Sequence, residues 1–137
     1  MPKDAAYLEA EQRIAEALKT RATELDLSNK YNTPDEEKLS ELPESLWKCK
    51  HLTSLTIRHT KLTTLPDSLG QLTQLTSLNL SSNQLAALPD SLGQLTQLTS
   101  LNLSNNQLTA LPDSLGQLTQ LTELDLSNNQ LIVDKEI

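Results

Sequence analysis

The segment LTSLNLSSNQLAALPDSLGQLTQ, residues 75–97, is followed directly by LTSLNLSNNQLTALPDSLGQLTQ, residues 98–120. The same pattern starts again at Leu121, and a more divergent copy, LTSLTIRHTKLTTLPDSLGQLTQ, precedes the pair at residues 52–74. The chain therefore repeats with a period of 23 residues. A period of this length is typical of one supersecondary unit stacked on copies of itself, which creates an extended surface rather than a catalytic pocket.

A less regular unit precedes these copies. Its strand half is ATELDLSNK from Ala22, its turn half begins near Leu39, and about residues 31–37 (YNTPDEE) are inserted between them. The polar composition of the insertion and its Pro34 predict a loop. We divide the single predicted domain, residues 1–137, into a capping helix (4–21), a first repeat (22–51), three regular repeats (52–74, 75–97, 98–120) and a truncated last repeat with a tail (121–137).

Each regular unit predicts a strand followed by a helical return. Leu78 and Leu80 alternate with polar residues, which favours a short half-buried strand. Pro89 then favours the first position of a 3₁₀ or α-helical turn, and Gly93 is expected to end it in the left-handed conformation. Strands of successive units would pair in parallel, about 4.8 Å apart.

The first residues predict a different element. Residues 4–19 have helical spacing, with Asp4 as the expected N-cap. A stacked array needs such a cap, because its first unit would otherwise expose leucines and an unpaired strand edge. The apolar stripe expected to cover that end consists of Leu8, Ile14, Ala15 and Leu18.

The pattern LxxLxLxxNxLxxLPxxLGxLxx, over about residues 22–131, resembles the leucine-rich repeat family in its bacterial-type 23-residue form. The resemblance implies an α/β fold. This would be a right-handed solenoid with a parallel sheet on its concave face, short helical or 3₁₀ turns on its convex side, and protein binding through the concave face. It also implies an asparagine ladder at Asn83, Asn106 and Asn129. The chain departs from that ladder at Thr60 and, by alignment, at Lys30.

A weaker similarity concerns the helix that leads into ATELDLS. It looks like the start of repeat arrays in bacterial and archaeal proteins, some of them Roco-type GTPases. The chain has no GxxxxGK[ST] motif, and lysine follows none of its glycines, Gly70, Gly93 and Gly116. The resemblance leaves two functions open: a protein-interaction module, or a structural or regulatory segment of a larger protein, GTPase-linked in some relatives, with no ligand of its own.

Composition narrows the choice of partners. A formal net charge of −7 disfavours nucleic acid and anionic membranes. We predict no signal peptide or membrane span, and the lone Cys49 favours a reducing, cytoplasmic location.

The sequence shows no catalytic or metal-binding pattern. The serines recur at repeat positions rather than beside a base, and His51, His59 and Cys49 lack the close pairing of zinc ligands. We therefore expect no enzymatic activity, metal or cofactor.

The candidate site lies where the repeat departs from its consensus. Residues 56–61, TIRHTK, replace NLSSNQ, which brings Arg58 and His59 close to Glu24 and Asp26 of the preceding unit. Drift near the cap would produce the same variant, so both interpretations stand. The wider concave face would add Thr56, Asn79, Asn102 and Asp125.

Three further features carry expectations. Trp47 replaces the consensus glycine and should lie on the convex side or pack on the insertion. Asp67, Asp90 and Asp113 recur at the start of the helical turns, where the peptide dipoles favour a carboxylate. The truncated unit after Leu121 has no evident cap, so its edge strand could pair with another copy of the chain.

Overall fold

The computed structural model describes residues 4–132, and the predicted tail from residue 133 onward lies outside the described residues. Within these residues, five short strands form one parallel sheet in chain order: β1 (Glu24–Asp26), β2 (Ser54–Thr56), β3 (Ser77–Asn79), β4 (Ser100–Asn102) and β5 (Glu123–Asp125). The central leucines of neighbouring strands are in register, as Leu55 with Leu78 and Leu78 with Leu101. The predicted right-handed solenoid with a parallel sheet is confirmed.

The helical returns of the first repeat and of the three regular repeats are 3₁₀ turns. They span Glu44–Lys48, Asp67–Gln71, Asp90–Gln94 and Asp113–Gln117, and each follows a proline. A further short 3₁₀ turn, Asp35–Glu37, lies in the insertion. Between sheet and turns the repeated leucines form one continuous core, in which Leu75, Leu85 and Leu98 have no exposed surface. Each unit buries its leucines only against its neighbours, as expected of a solenoid.

The glycines of these turns have a different role from the predicted one. No described glycine has a positive φ, so Gly93 does not end its turn in the left-handed conformation. Gly93 lies inside the turn Asp90–Gln94, and the residue after that turn is Leu95. Glycine is required because the turn of the next repeat stacks directly on it, leaving no room for a Cβ.

Helix α1 (Ala5–Thr20) packs on the first unit, and the Asp4 carboxylate caps it by accepting a 2.9 Å hydrogen bond from the Tyr7 N–H. The predicted apolar stripe was wrong except at Ile14. Leu8 is 49% exposed and Leu18 is 38% exposed. The buried face consists of Ala10, Ile14 and Ala17. Small alanines let the helix axis approach the end of the repeat stack, which leucines at the same positions would prevent.

Trp47 lies buried in the core rather than on the convex surface. Its side chain is only 4% exposed, within the turn Glu44–Lys48 that packs against α1. This first turn contacts the next turn, Asp67–Gln71, much less than the later turns contact one another. The wider separation accommodates an indole where Gly70 and Gly93 face a closely stacked neighbour.

The opposite end of the stack is open within the described residues. Leu124 is 43% exposed, although its counterpart Leu101 in the preceding strand is 1% exposed. Ile132, the last described residue, is 84% exposed. In the described part of the chain, no helix has the length and hydropathy needed to cross a membrane.

Candidate functional site

The open face of the sheet presents polar side chains in rows that run across the strands. Side chains alternate between the two faces of a strand, so the residues beside the buried leucines share the outer face. One row consists of Glu24, Ser54, Ser77, Ser100 and Glu123, and the next consists of Asp26, Thr56, Asn79, Asn102 and Asp125. Six of the eight sequence-predicted binding residues belong to these two rows.

Hydrogen bonds hold four of the five side chains of the second row in place, those of Asp26, Asn79, Asn102 and Asp125. Asn79 Oδ1 accepts from the Ser81 N–H at 3.0 Å and from the Ser81 hydroxyl at 2.7 Å. Asn102 and Ser104 repeat the arrangement at the same distances. Because each amide uses its oxygen internally, its Nδ2 is oriented by the protein. The two amides therefore offer fixed N–H donors on the middle of the face.

Charge is concentrated at the two ends of this face. Glu24 and Asp26 stand on β1, Glu123 and Asp125 stand on β5, and the residues that β2, β3 and β4 contribute to the two rows are uncharged. The Ser127 hydroxyl and N–H donate to the Asp125 carboxylate, which holds its pKa below the ordinary value. The face is therefore anionic at both edges and neutral in its centre at physiological pH.

Arg58 does not pair with Asp26. Its Nε donates to the Ser81 hydroxyl at 3.1 Å, towards the following repeat. Asp26 Oδ1 instead accepts from the Ser28 N–H at 2.8 Å, and within residues 4–132 no ion pair joins Arg58 to a carboxylate. The two residues face the same side, but no hydrogen bond or ion pair joins them.

His59 is separated from the rows. It follows β2 in the left-handed conformation, with a φ of 59°. Burial, and then the positive charges of Arg58 and Lys38, lower its pKa below the ordinary value. The charged groups that act on His59 are therefore Arg58 and Lys38, and neither Glu24 nor Asp26 is among them.

Asparagines join the units beneath the face. Asn106 Nδ2 donates to the carbonyls of Leu80 and Leu103, both at 3.0 Å, and its Oδ1 accepts from the Leu85 N–H at 3.0 Å. Asn129 makes the equivalent bonds to its own and the preceding unit. Asn83 likewise donates to the carbonyls of Ile57 and Leu80, but its Oδ1 accepts from the Thr60 N–H. These three residues therefore act on the scaffold, each connecting two consecutive repeats.

Two other residues complete the ladder where the consensus fails. Thr60, 2% exposed, donates its hydroxyl to Asn83 Oδ1 and accepts from the Leu62 N–H. In the first unit Asn29, not the aligned Lys30, accepts from the Leu39 N–H at 2.8 Å across the insertion. The seven inserted residues thus leave the turn hydrogen-bonded through a residue one position earlier.

Other candidate chemistry receives little support from the described residues. Burial raises the pKa of the Cys49 thiol, which disfavours the reactive thiolate. Asp67, Asp90 and Asp113 line a groove on the convex side with Ser91 and Ser114. Within residues 4–132, however, no group of three or more His, Cys, Asp or Glu residues is arranged to hold a metal ion.

Sequence reasoning missed a groove of about 470 Å³ between α1 and β1. Glu9, Arg13 and Glu16 line its helical side, and Glu24 and Asp26 line its strand side. A capping role accounts for the apolar residues of this helix but not for its exposed charges. The available signal was the charged face of residues 9–16 next to the acidic strand.

Comparisons with known proteins agree with this architecture. A family model for the leucine-rich repeat region matches residues 25–136. A leucine-rich repeat protein of Leptospira interrogans is 39% identical over 86% of this chain, with a TM-score of 0.69. An internalin of Listeria monocytogenes is 32% identical over 89% of this chain, also with a TM-score of 0.69. The chain spans 35% and 33% of those two structures. No curated protein sequence matches it.

Proposed function

We propose that this chain, which belongs to the leucine-rich repeat family, is a protein-interaction module that binds its partner through the concave face of its sheet. The observation that supports the proposal most is the row of hydrogen-bonded polar side chains across that face. Side chains already held in one rotamer lose little conformational entropy when a partner binds. Surfaces of this size and regularity suit a protein partner better than a small molecule.

The proposed contact residues are the sequence-predicted set on the concave side. Asn79 and Asn102 would donate from the centre of the face through Nδ2, and Arg58 would supply its cation beside them. Arginine is enriched among residues that dominate binding energy, whereas serine and threonine are not. The remaining proposed contacts are Glu24, Asp26, Thr56, His59 and Asp125.

The experiment compares two faces of the same molecule. Partners are first captured by the unaltered chain from a display library of protein fragments of its source organism. Their affinities are then measured for Arg58→Ala/Asn79→Ala/Asn102→Ala and for the control Thr96→Ala/Gln97→Ala, whose residues are exposed and belong to neither row of the concave face. Replacing a residue that contacts the partner by alanine should weaken binding by about 1 kcal/mol or more. Partners that bind the concave variant and the unaltered chain equally would exclude the concave face.

A second proposal concerns copies of the chain itself. We propose self-association through the β5 edge, supported by the exposure of Leu124 and by the absence of a covering element among the described residues. Antiparallel pairing of two β5 strands would bring Glu123 of one copy near Asp125 of the other, so association should strengthen with salt. Sedimentation velocity of the unaltered chain and of Leu124→Lys tests this. A strict monomer at high concentration and high salt would exclude it.

The remaining alternative is a structural or regulatory role within a larger protein. The fact that this chain spans about a third of the two similar structures is compatible with that role. We also propose a cytoplasmic location, and the support for it is that the single cysteine, Cys49, is buried and unpaired. The same fragment display separates the two functions, because a purely structural segment should capture no partner specifically.

A further inference from the structure

The groove between α1 and β1 has the composition of a binding site for an extended chain. Its volume of about 470 Å³ lies in the range of ligand sites in proteins. Ala17, Ala22 and Leu25 form its apolar floor, and longer polar side chains form its walls. Leu25 is only partly buried, while its counterparts Leu55, Leu78 and Leu101 are 1% exposed. The groove therefore leaves apolar surface uncovered that every internal repeat covers.

The strand side of the groove is a free sheet edge. Leu27 donates to the Thr56 carbonyl, and the Thr23 carbonyl accepts from Thr53 and Ser54, so the odd-numbered residues of this segment face β2. By alternation, the N–H and C=O groups of Glu24 and Asp26 point to the other side, where residues 4–132 provide no further strand. Unpaired edge groups of this kind are a template for another extended chain.

Arg13 closes one end of that edge. Its Nη1 donates to the Asp26 carbonyl at 3.0 Å, and its Nη2 forms an ion pair with Glu9 at 2.8 Å. The Asp26 carbonyl is thereby occupied, and the backbone groups of Glu24 and the Asp26 N–H remain for a ligand. An added strand would therefore lie beside Glu24 and be limited to a short segment by the guanidinium.

The charge of the groove selects the ligand. Carboxylates of Glu9, Glu16, Glu24 and Asp26 line it against the single cation of Arg13, which is already paired with Glu9. The walls thus keep an excess of three negative charges around an apolar floor and a hydrogen-bonding edge. In a bound strand whose basic and aliphatic side chains alternate, the basic side chains would contact the acidic walls. The aliphatic side chains, on the other side of the strand, would contact the apolar floor.

We propose that this groove binds an extended, lysine- or arginine-rich peptide segment, which pairs with β1 as an additional edge strand. Recognition by strand addition takes affinity from main-chain hydrogen bonds and specificity from alternate side chains. The site goes beyond the concave-face proposal, although Glu24 and Asp26 border both. Glu16 belongs to α1 and lies outside the concave rows, so its substitution tests this site alone.

The test uses the full chain labelled with ¹⁵N and an acetylated, amidated hexapeptide of alternating valine and lysine. Chemical-shift changes should centre on the amides of Glu24 and Asp26 and on the facing side of α1. Glu16→Gln should weaken binding roughly two- to fivefold, as expected for an exposed ion pair. Glu123→Gln, in the same row at the opposite edge of the sheet, is the matched control and should bind like the unaltered chain.

One further measurement separates strand addition from simple charge attraction, and a second tests the role of Arg13. N-methylation of alternate backbone nitrogens in the probe should weaken it roughly two- to tenfold, because edge hydrogen bonds are lost. Arg13→Gln should strengthen binding, since it removes the competing cation and releases the Asp26 carbonyl. The proposal is overturned if an alternating valine–glutamate peptide binds as well, if N-methylation has no effect, or if the shift changes lie on β2–β4 instead.

Discussion

Gly93 lies directly under Ser114 of the next repeat. A Cβ placed on Gly93 would stand 2.7 Å from the Ser114 Cβ and 2.7 Å from the Ser114 carbonyl oxygen. Gly70 has the same relation to Ser91, at 2.9 Å from its Cβ. At Gly116 nothing lies within 4 Å, because no described turn follows it. The glycine therefore sets how closely consecutive turns stack.

This relationship predicts a graded effect of one substitution. Gly93→Ala should lower the free energy of unfolding by about 1–3 kcal/mol, since the neighbour in contact includes backbone that must shift. Gly116→Ala should leave it unchanged or raise it by up to about 1 kcal/mol, because alanine restricts the unfolded chain. Urea denaturation followed by circular dichroism measures both. Equal losses in the two variants would contradict the role assigned to stacking.

The asparagine ladder predicts a second large effect. Asn106 is 7% exposed and makes hydrogen bonds to backbone groups of two repeats. Asn106→Ala leaves the Leu85 N–H and the carbonyls of Leu80 and Leu103 without their partner. We expect a loss of about 2–4 kcal/mol, the cost of several buried polar groups left unpaired.

The matched variant for this test is Asn129→Ala. Asn129 makes the same bonds but is only half-buried, so water can replace its side chain there. Its loss in the same urea titration should be clearly smaller. If Asn106→Ala were as mild as Asn129→Ala, the ladder would not be a main source of cohesion between repeats.

The 23-residue period predicts the scaffold well because every unit repeats the same pattern of buried and exposed residues. A strand residue such as Leu78 has the same neighbours in every unit, so spacing alone places it opposite Leu101. The period does not show, however, which structural role requires a residue that occurs in every unit. In the sequence, Gly93 is compatible both with a left-handed residue that ends the turn and with close stacking of the next turn. The proximity of Ser114 and the absence of a positive φ at Gly93 show that close stacking is the role.

The ends of the array were harder to predict because they are not repeated. Helix α1 carries apolar residues on several sides, and hydrophobicity alone favours Leu8 and Leu18 over Ala10 and Ala17. The rotation of the helix depends instead on how closely it can approach the first unit. The Arg58 side chain is a similar case. The sequence alone allows its guanidinium either a hydroxyl or a carboxylate acceptor, and in the structure Arg58 Nε donates to the Ser81 hydroxyl.

The left-handed residue after each strand predicts a stabilising change. Ser82 has a φ of 61°, and Asn105 and Asn128 occupy the same place with φ of 57° and 58°. Asparagine tolerates this conformation better than serine does. Ser82→Asn should therefore raise the free energy of unfolding by about 0.5 kcal/mol. Asn105→Ser, the reverse exchange one repeat later, should lower it by a similar amount in the same thermal or urea experiment.

His59 predicts how stability depends on pH near neutrality. Its pKa in the folded chain is lowered from 6.5 by burial and then by Arg58 and Lys38. The unfolded chain therefore takes up a proton at His59 more readily than the folded chain. The resulting stabilisation is present above the unfolded pKa of 6.5 and is lost as the pH falls through the folded pKa.

Urea midpoints at about pH 7.5 and about pH 5.5 measure this effect in the interval where histidine titrates and carboxylates contribute least. The unaltered chain should be less stable at the lower pH. His59→Asn should reduce that difference, because asparagine does not titrate and also suits the positive φ of 59°. His51→Asn, at an exposed position, is the control and should keep the pH dependence of the unaltered chain. If the His59 variant kept the full dependence, another group would be responsible for it.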